Sequence, residues 1–198
     1  MRLSFVATVV CCLLYGSSAS AGTALALRSS EGDYIGQGQS ITYPESSGTF
    51  TATRNFDGGV SVSYTGASES WSVDFAAAGG ADLVPALYEK ATRFPFQEID
   101  EPGLSVSGAG RGCNMLEGRF RVHQVVYGAG DAVDAFAADF VQYCDGSPVP
   151  LVGGIRVNAD DVFSAIVDED LDQSGDIIDN CLDLPNPDQL DSDGDGLG

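Results

Sequence analysis

The sequence predicts a mainly β protein, an antiparallel β-sandwich or jelly roll followed by an irregular acidic tail. Three observations carry that prediction. From Leu25 to about Asn158, runs of four to eight residues alternate apolar and polar, the period of a half-buried strand. Gly, Asp, Asn, Ser and Pro separate those runs at short intervals, and no long amphipathic helix interrupts them. Beyond Asp160 the apolar alternation gives way to a run of carboxylates.

Ala24–Arg28 reads as a first short strand, and the glycine-rich stretch from Gly32 to Gln39 as a turn. Ser40–Tyr43 and Thr49–Thr53 are extended. Asp57-Gly58-Gly59 turns the chain into Val60–Tyr64. Trp71, Val73 and Phe75 share one face, with Ser72 and Asp74 opposite, so Trp71 is expected in the core. Ala76–Asp82 is a loop of small residues, and Leu87–Arg93 is a strand or one helical turn. After the kinked Phe94-Pro95-Phe96, Gly103–Ser107 is another short strand. Gly108-Ala109-Gly110-Arg111-Gly112 superficially suggests a phosphate loop. Such a loop needs a helix after it, and here Cys113 and a strand follow, so it is read as a turn. Glu117–Tyr127 is the clearest strand, with Phe120, Val122, Gln124 and Val126 expected on one face and Arg121, His123, Val125 and Tyr127 on the other. A turn at Gly128–Asp131 leads to Val133–Cys144, with Phe136, Ala138, Phe140 and Cys144 in phase, and Val152–Val157 is the last strand. Eight or more short strands at regular spacing suit a sandwich.

The chain divides into three segments. Residues 1–21 read as an export signal: Arg2 is the positive end, Leu3 to Leu14 the apolar stretch, and Ala19-Ser20-Ala21 the cleavage site. The apolar stretch is too short to span a bilayer. Cys11 and Cys12 lie inside it, and Val9-Val10-Cys11 fits a lipid-attachment site poorly. Residues 22–159 form the β domain, and 160–198 the tail. The expected setting is therefore secreted or at the cell surface. No transmembrane segment is expected in this chain.

Net charge is −20, unevenly spread. From Asp160 onward there are 13 acidic residues and no Lys or Arg. Gly22–Ala159 carries 16 acidic against 8 basic residues. That balance argues against a nucleic-acid partner, because phosphate binding needs a basic face. Without the signal, three cysteines remain: Cys113, Cys144 and Cys181. In an oxidising compartment, Cys113 and Cys144 are expected to form a disulfide, because the hairpin between them brings its open ends together. Cys181 is then left over.

The β domain offers little chemistry. His123 is the only histidine, so any histidine-based triad would have to use it, and it is read as a surface residue. The nucleophile-elbow and zinc-protease patterns are absent from the sequence. Glu98, Asp100 and Glu101 are grouped carboxylates of the kind glycosidases use, but Pro102-Gly103 marks their stretch as a loop. No enzymatic activity is expected. Jelly rolls do bind sugars, and Trp71 or Tyr143 would be the rings to stack on one; that reading rests on fold analogy alone.

The tail carries the sharper signal. Asp168, Asp170 and Asp172 are spaced two apart, followed by Asp176 and Asp179; Asp191, Asp193 and Asp195 repeat the opening. Ca²⁺ takes six to eight oxygens at about 2.3–2.6 Å, and carboxylates at alternate positions of a tight loop converge on one ion. Without the ion they repel one another. A merely soluble acidic tail is the competing reading, but solubility does not require repeated spacing. An EF-hand or dockerin-type loop also fits Asp168, Asp170, Asp172, Asp176 and Asp179 at positions 1, 3, 5, 9 and 12. Against it, position 6 is Gln173, position 12 is not Glu, and a turn-rich stretch to Pro187 stands in place of a helix.

The order of these acids, with Asp179-Asn180-Cys181, Asn186-Pro187-Asp188-Gln189 and Asp191-Ser192-Asp193-Gly194-Asp195-Gly196, resembles thrombospondin type 3 repeats over the last 31 residues. That resemblance implies calcium-filled loops with almost no apolar core, joined by disulfides. It implies that Asp168, Asp170, Asp172, Asp176 and Asp179 are ligands of one repeat and that Asp191, Asp193 and Asp195 open a second. It also implies a partner for Cys181 beyond Gly198, and so a longer natural protein. Gln173-Ser174-Gly175 departs from the family's preference for Gly at the first of these positions. The functional expectation is a secreted calcium-binding structural or adhesion protein whose partners are calcium and an extracellular protein or glycan. The alternatives are a carbohydrate-binding or carbohydrate-active domain with the tail as spacer, and a surface protein anchored through a further C-terminal segment.

Overall fold

The computed structural model describes residues 22–159, together with Asp188 and Leu190. The eight tail aspartates and the signal segment lie outside the described residues. Ten strands run along the chain: β1 (Gly22–Ser29), β2 (Ser40–Pro44), β3 (Gly48–Arg54), β4 (Val60–Gly66), β5 (Ser70–Ala76), β6 (Ala86–Arg93), β7 (Gly103–Gly108), β8 (Leu116–Tyr127), β9 (Val133–Cys144) and β10 (Pro150–Ala159). The expected strands are all present. Leu87–Arg93, for which the sequence allows strand or helical turn, is strand β6.

The sheet arrangement is not that of a two-sheet sandwich. All ten strands belong to one sheet in the order β2-β1-β10-β9-β8-β6-β7-β5-β4-β3, nearly closed into a barrel. Every pairing is antiparallel except β6 with β7, which is parallel at Thr92–Gly103 and Arg93–Leu104. The sheet's two edges, β2 and β3, are consecutive in the chain, joined by a 3-10 turn at Glu45–Ser47. Aromatic rings bring them together: Tyr43 lies 4.7 Å from Tyr64, which lies 4.9 Å from Phe50. Full closure would remove such edges, which can template aggregation; here β2 and β3 remain as the two edges of the sheet. Period-2 alternation reads the same in a sandwich and a barrel, so the sequence alone does not separate them.

The core fills the interior. Phe75 on β5 meets Phe120, Phe136 and Phe140 on β8 and β9 at centroid distances of 5.1, 5.3 and 6.3 Å, and all four are fully buried. Burying a ring of that size stabilises the fold by about 1.5–3 kcal/mol. Trp71 is 3 % exposed, and its indole N–H donates to the Tyr43 hydroxyl at 3.2 Å, so it is a core residue.

Two details depart from simple alternation. In β8, Val122 pairs with Ala138 and Gln124 with Ala137, so His123 is the extra residue of a β-bulge. A bulge flips the facing of the residues beyond it. Val125 and Tyr127 therefore pack on the core and Val126 is 44 % exposed, the reverse of the expected facing beyond Val122. The second detail is the seam between β7 and β9. The buried Gln142 side chain accepts from the Val106 N–H and donates to the Val106 carbonyl, both at 2.9 Å. A side-chain amide thus stands in for a strand where β6 no longer accompanies β7.

Cys113 and Cys144 are bonded, with Cα atoms 5.2 Å apart, just outside the start of β8 and at the end of β9. Leu116 pairs with Cys144, so the bridge staples the open end of the hairpin. The Asp145 carboxylate supports that end by accepting the Asn114 and Met115 N–H groups at 2.9 and 2.7 Å.

Candidate functional site

Three connections converge at one end of the barrel: the β3–β4 turn, the β5–β6 loop and the β6–β7 loop. They meet there because Val60 pairs with Phe75 and Ala76 pairs with Gly103. Asn55 organises the first turn. Its side-chain oxygen accepts the Asp57 and Gly59 N–H groups at 3.2 and 2.9 Å, and its amide donates to the Phe75 carbonyl at 3.0 Å. Gly58 takes φ +75, which a side chain would resist. The outcome is that Phe56, at the tip, is 78 % exposed, with its ring 5.5 Å from that of Phe94.

The other loops are tied to this turn. Gln97 Nε2 donates to Asp57 Oδ2 at 2.8 Å, and the Gly79 N–H donates to the Ile99 carbonyl at 2.6 Å. The Tyr127 hydroxyl donates to the Gly58 carbonyl at 2.9 Å and accepts the Leu83 N–H at 3.0 Å. Burial pushes the Tyr127 phenol above its ordinary value, so it remains a donor. Between the loops lies a cleft of about 240 Å³, walled by Phe56, Pro95 and Ile99 and edged by Asp57, Glu98 and Glu101. Glu101 Oε2 is partly engaged by the Thr92 hydroxyl at 2.8 Å. Gln97 also lines the cleft, and its side-chain oxygen is buried with no hydrogen-bond partner. Ile99 is 78 % exposed and Phe96, next to the cleft, 71 %.

A second polar group lies on the outside of the barrel. Asp139 accepts from His123 Nε2 at 2.7 Å and from Arg156 Nη1 at 2.8 Å. Burial works to raise the Asp139 carboxyl's pKa, but the two hydrogen bonds and the adjacent positive charge outweigh it and hold it below the ordinary carboxylate value. The β8 bulge places His123 over Asp139. The pair holds an imidazole in place, but hydrolysis by such a pair needs a nucleophile within reach, and none is bonded to it among the described residues.

A third feature is the outward face of β3, β4, β5 and β7, where Thr51, Ser63, Ser72 and Ser107 pair in register. Asp74 is held there by the Ser61 hydroxyl at 2.5 Å and the Ser72 hydroxyl at 3.1 Å. Burial pushes its carboxyl above the ordinary value despite both hydroxyls.

The residues expected from sequence do not gather in one place. Asp168, Asp170, Asp172, Asp176, Asp179, Asp191, Asp193 and Asp195 lie outside the described residues. Among the described residues, no group of three or more His, Cys, Asp or Glu side chains is placed to hold a metal ion. Asp57, Glu98 and Glu101 edge one cleft without converging on an ion position. Of the grouped carboxylates, Glu98 and Glu101 reach the cleft and Asp100 does not line it. Of the two candidate stacking rings, Trp71 is buried, and Tyr143 lines a separate cavity of about 290 Å³ with Glu117 and Pro148. Sequence reasoning misses Phe56 and Gln97. A phenylalanine between Asn55 and Asp57, inside a turn, is the available signal, because turns rarely expose a large ring without cause. No helix among the described residues is long and apolar enough to cross a membrane, which leaves strand-built membrane proteins unaddressed. Comparison with family models, with curated proteins and with solved structures returned no match.

Proposed function

We propose that this is an exported calcium-binding structural or adhesion protein, in which a disulfide-stapled β-barrel domain is carried on a calcium-ordered acidic stalk. The observation that carries the reading is the repeated spacing Asp168, Asp170, Asp172 and Asp191, Asp193, Asp195. The resemblance to thrombospondin type 3 repeats supports it. The thirteen acidic residues, with no Lys or Arg in the same segment, repel one another, and a divalent ion would supply the missing cohesion. The buried cystine between Cys113 and Cys144 is in keeping with an oxidising, extracellular setting. The domain at the stalk's end presents Phe56, Phe96 and Ile99 at one rim, where an extracellular protein or glycan would be met. Affinity for calcium is expected on the order of 10⁻⁴–10⁻³ M, the range of extracellular modules. Calorimetric titration of the full chain with calcium is the test. Binding heat that falls in Asp170→Ala and Asp172→Ala supports the reading; identical titrations for both variants and the wild type end it.

A further inference from the structure

We infer that the cleft at the loop rim binds an amino sugar, one ring of a hexosamine carrying a protonated amine. The inference does not depend on the calcium reading of the tail, because every residue it uses lies in the barrel. Four observations point to this ligand class.

The cleft is concave and about 240 Å³, enough to enclose part of a single sugar ring. Its polar edge offers acceptors, the carboxylates of Asp57, Glu98 and Glu101. Donors are fewer there: the side-chain amide of Gln97 carries two N–H groups, and one of them is taken by Asp57. A fitting ligand must therefore be rich in donors, and hydroxyl or ammonium groups bonded to carboxylates make the stronger, charge-assisted kind of hydrogen bond. The Gln97 oxygen is buried without a partner, and a buried acceptor left unmatched is unfavourable. A donor brought by a ligand, with a small shift of the amide, relieves it.

The apolar wall completes the match. Phe56 rests near Phe94 and is otherwise bare, so its ring offers a face for the C–H side of a sugar. Phe96 nearby already carries the Arg93 guanidinium, 4.8 Å from its ring centre, so the rim pairs rings with cations elsewhere. Charge decides between sugars. Three carboxylates, with no Lys or Arg among the described residues of the lining, exclude an anionic ring and favour one that carries positive charge.

The test is calorimetric titration of the full chain, calcium present throughout to occupy the acidic tail. The probes are the β-1,4-linked trimer of glucosamine and its fully N-acetylated counterpart. Wild-type protein is expected to bind the cationic trimer more tightly than the acetylated one. Phe56→Ala is expected to weaken binding about tenfold, and Glu98→Gln severalfold, a tenfold change being about 1.4 kcal/mol. Both side chains are exposed, so neither change should unfold the barrel; unchanged emission from buried Trp71 verifies that. Binding that is the same in wild type and Phe56→Ala overturns the site. Equal binding of both trimers overturns the amino-sugar assignment. Either failure leaves the calcium titration of the tail variants as it was, so the two readings fail separately.

Discussion

Replacing Gln142 should loosen the barrel at the seam between β7 and β9. The side chain is 1 % exposed and its amide makes two 2.9 Å hydrogen bonds to the backbone of Val106, the place where β7 lacks a full strand partner. Gln142→Leu keeps the volume but leaves the Val106 N–H and carbonyl unpaired. A buried polar group without a partner costs about 1–3 kcal/mol, so the two together are expected to cost about 3–4 kcal/mol once partial relaxation is allowed. Gln142→Ala adds a cavity and should cost about 1–2 kcal/mol more. Against a total stability of about 5–15 kcal/mol, either loss is large. Urea unfolding followed by fluorescence of Trp71, the single tryptophan and 3 % exposed, measures it. The midpoint should fall while the slope with urea stays constant, because the exposed surface on unfolding is nearly unchanged. If Gln142→Leu lies within about 0.5 kcal/mol of wild type, the range of an inconsequential surface change, the bridging role assigned to this amide is wrong.

Other consequences rest on the same contacts. Removing the Cys113–Cys144 bridge with paired serines should cost about 3–4 kcal/mol, from the chain entropy of a loop with a sequence separation of 31; a melting temperature unchanged from that of the oxidised protein would contradict this. Asp74 and Asp139 should tilt stability against pH in opposite directions. Asp74 binds its proton more tightly folded than unfolded, so stability falls as pH rises from the ordinary carboxylate value of about 3.9 through its raised folded value. Asp74→Asn should flatten that slope in denaturation curves taken across pH, and an unaltered slope counts against the burial assigned to it. Asp139 binds its proton less tightly folded, so its contribution is present above about 3.9 and fades as pH drops toward its lowered value. Asp139→Asn should remove that acid-side loss.

Much of the barrel was legible in the sequence because strand signals are local. Phe120, Phe136, Ala138 and Phe140 announced their facing by period 2, and Gly and Pro marked the turns. Three things were not legible. The choice between sandwich and closed sheet depends on which edges meet; the ring contacts that link β2 to β3 run from Tyr43 through Tyr64 on β4 to Phe50, and no sequence pattern announces them. The bulge at His123 hides in the sequence, since an inserted residue in Arg121-Val122-His123-Gln124-Val125 looks like continued alternation until its partner strand is known. The rim cleft is assembled from Phe56 and the Gln97-Glu98 pair, which meet only after β5 pairs with both β4 and β7. The reading of the tail is of the opposite kind: its acids lie close in sequence, so their spacing was legible without any tertiary information.

The central claim is that the aspartates near the end of the chain gather around metal, not around apolar side chains. Hydrogen exchange of the full chain, read over residues 168–195 in millimolar calcium and again in excess chelator, addresses it directly. Slowed exchange with calcium is expected, reversed by chelator and lost in Asp170→Ala, while β1 to β10 exchange alike in both. Equal exchange across that segment in the two conditions would contradict the claim.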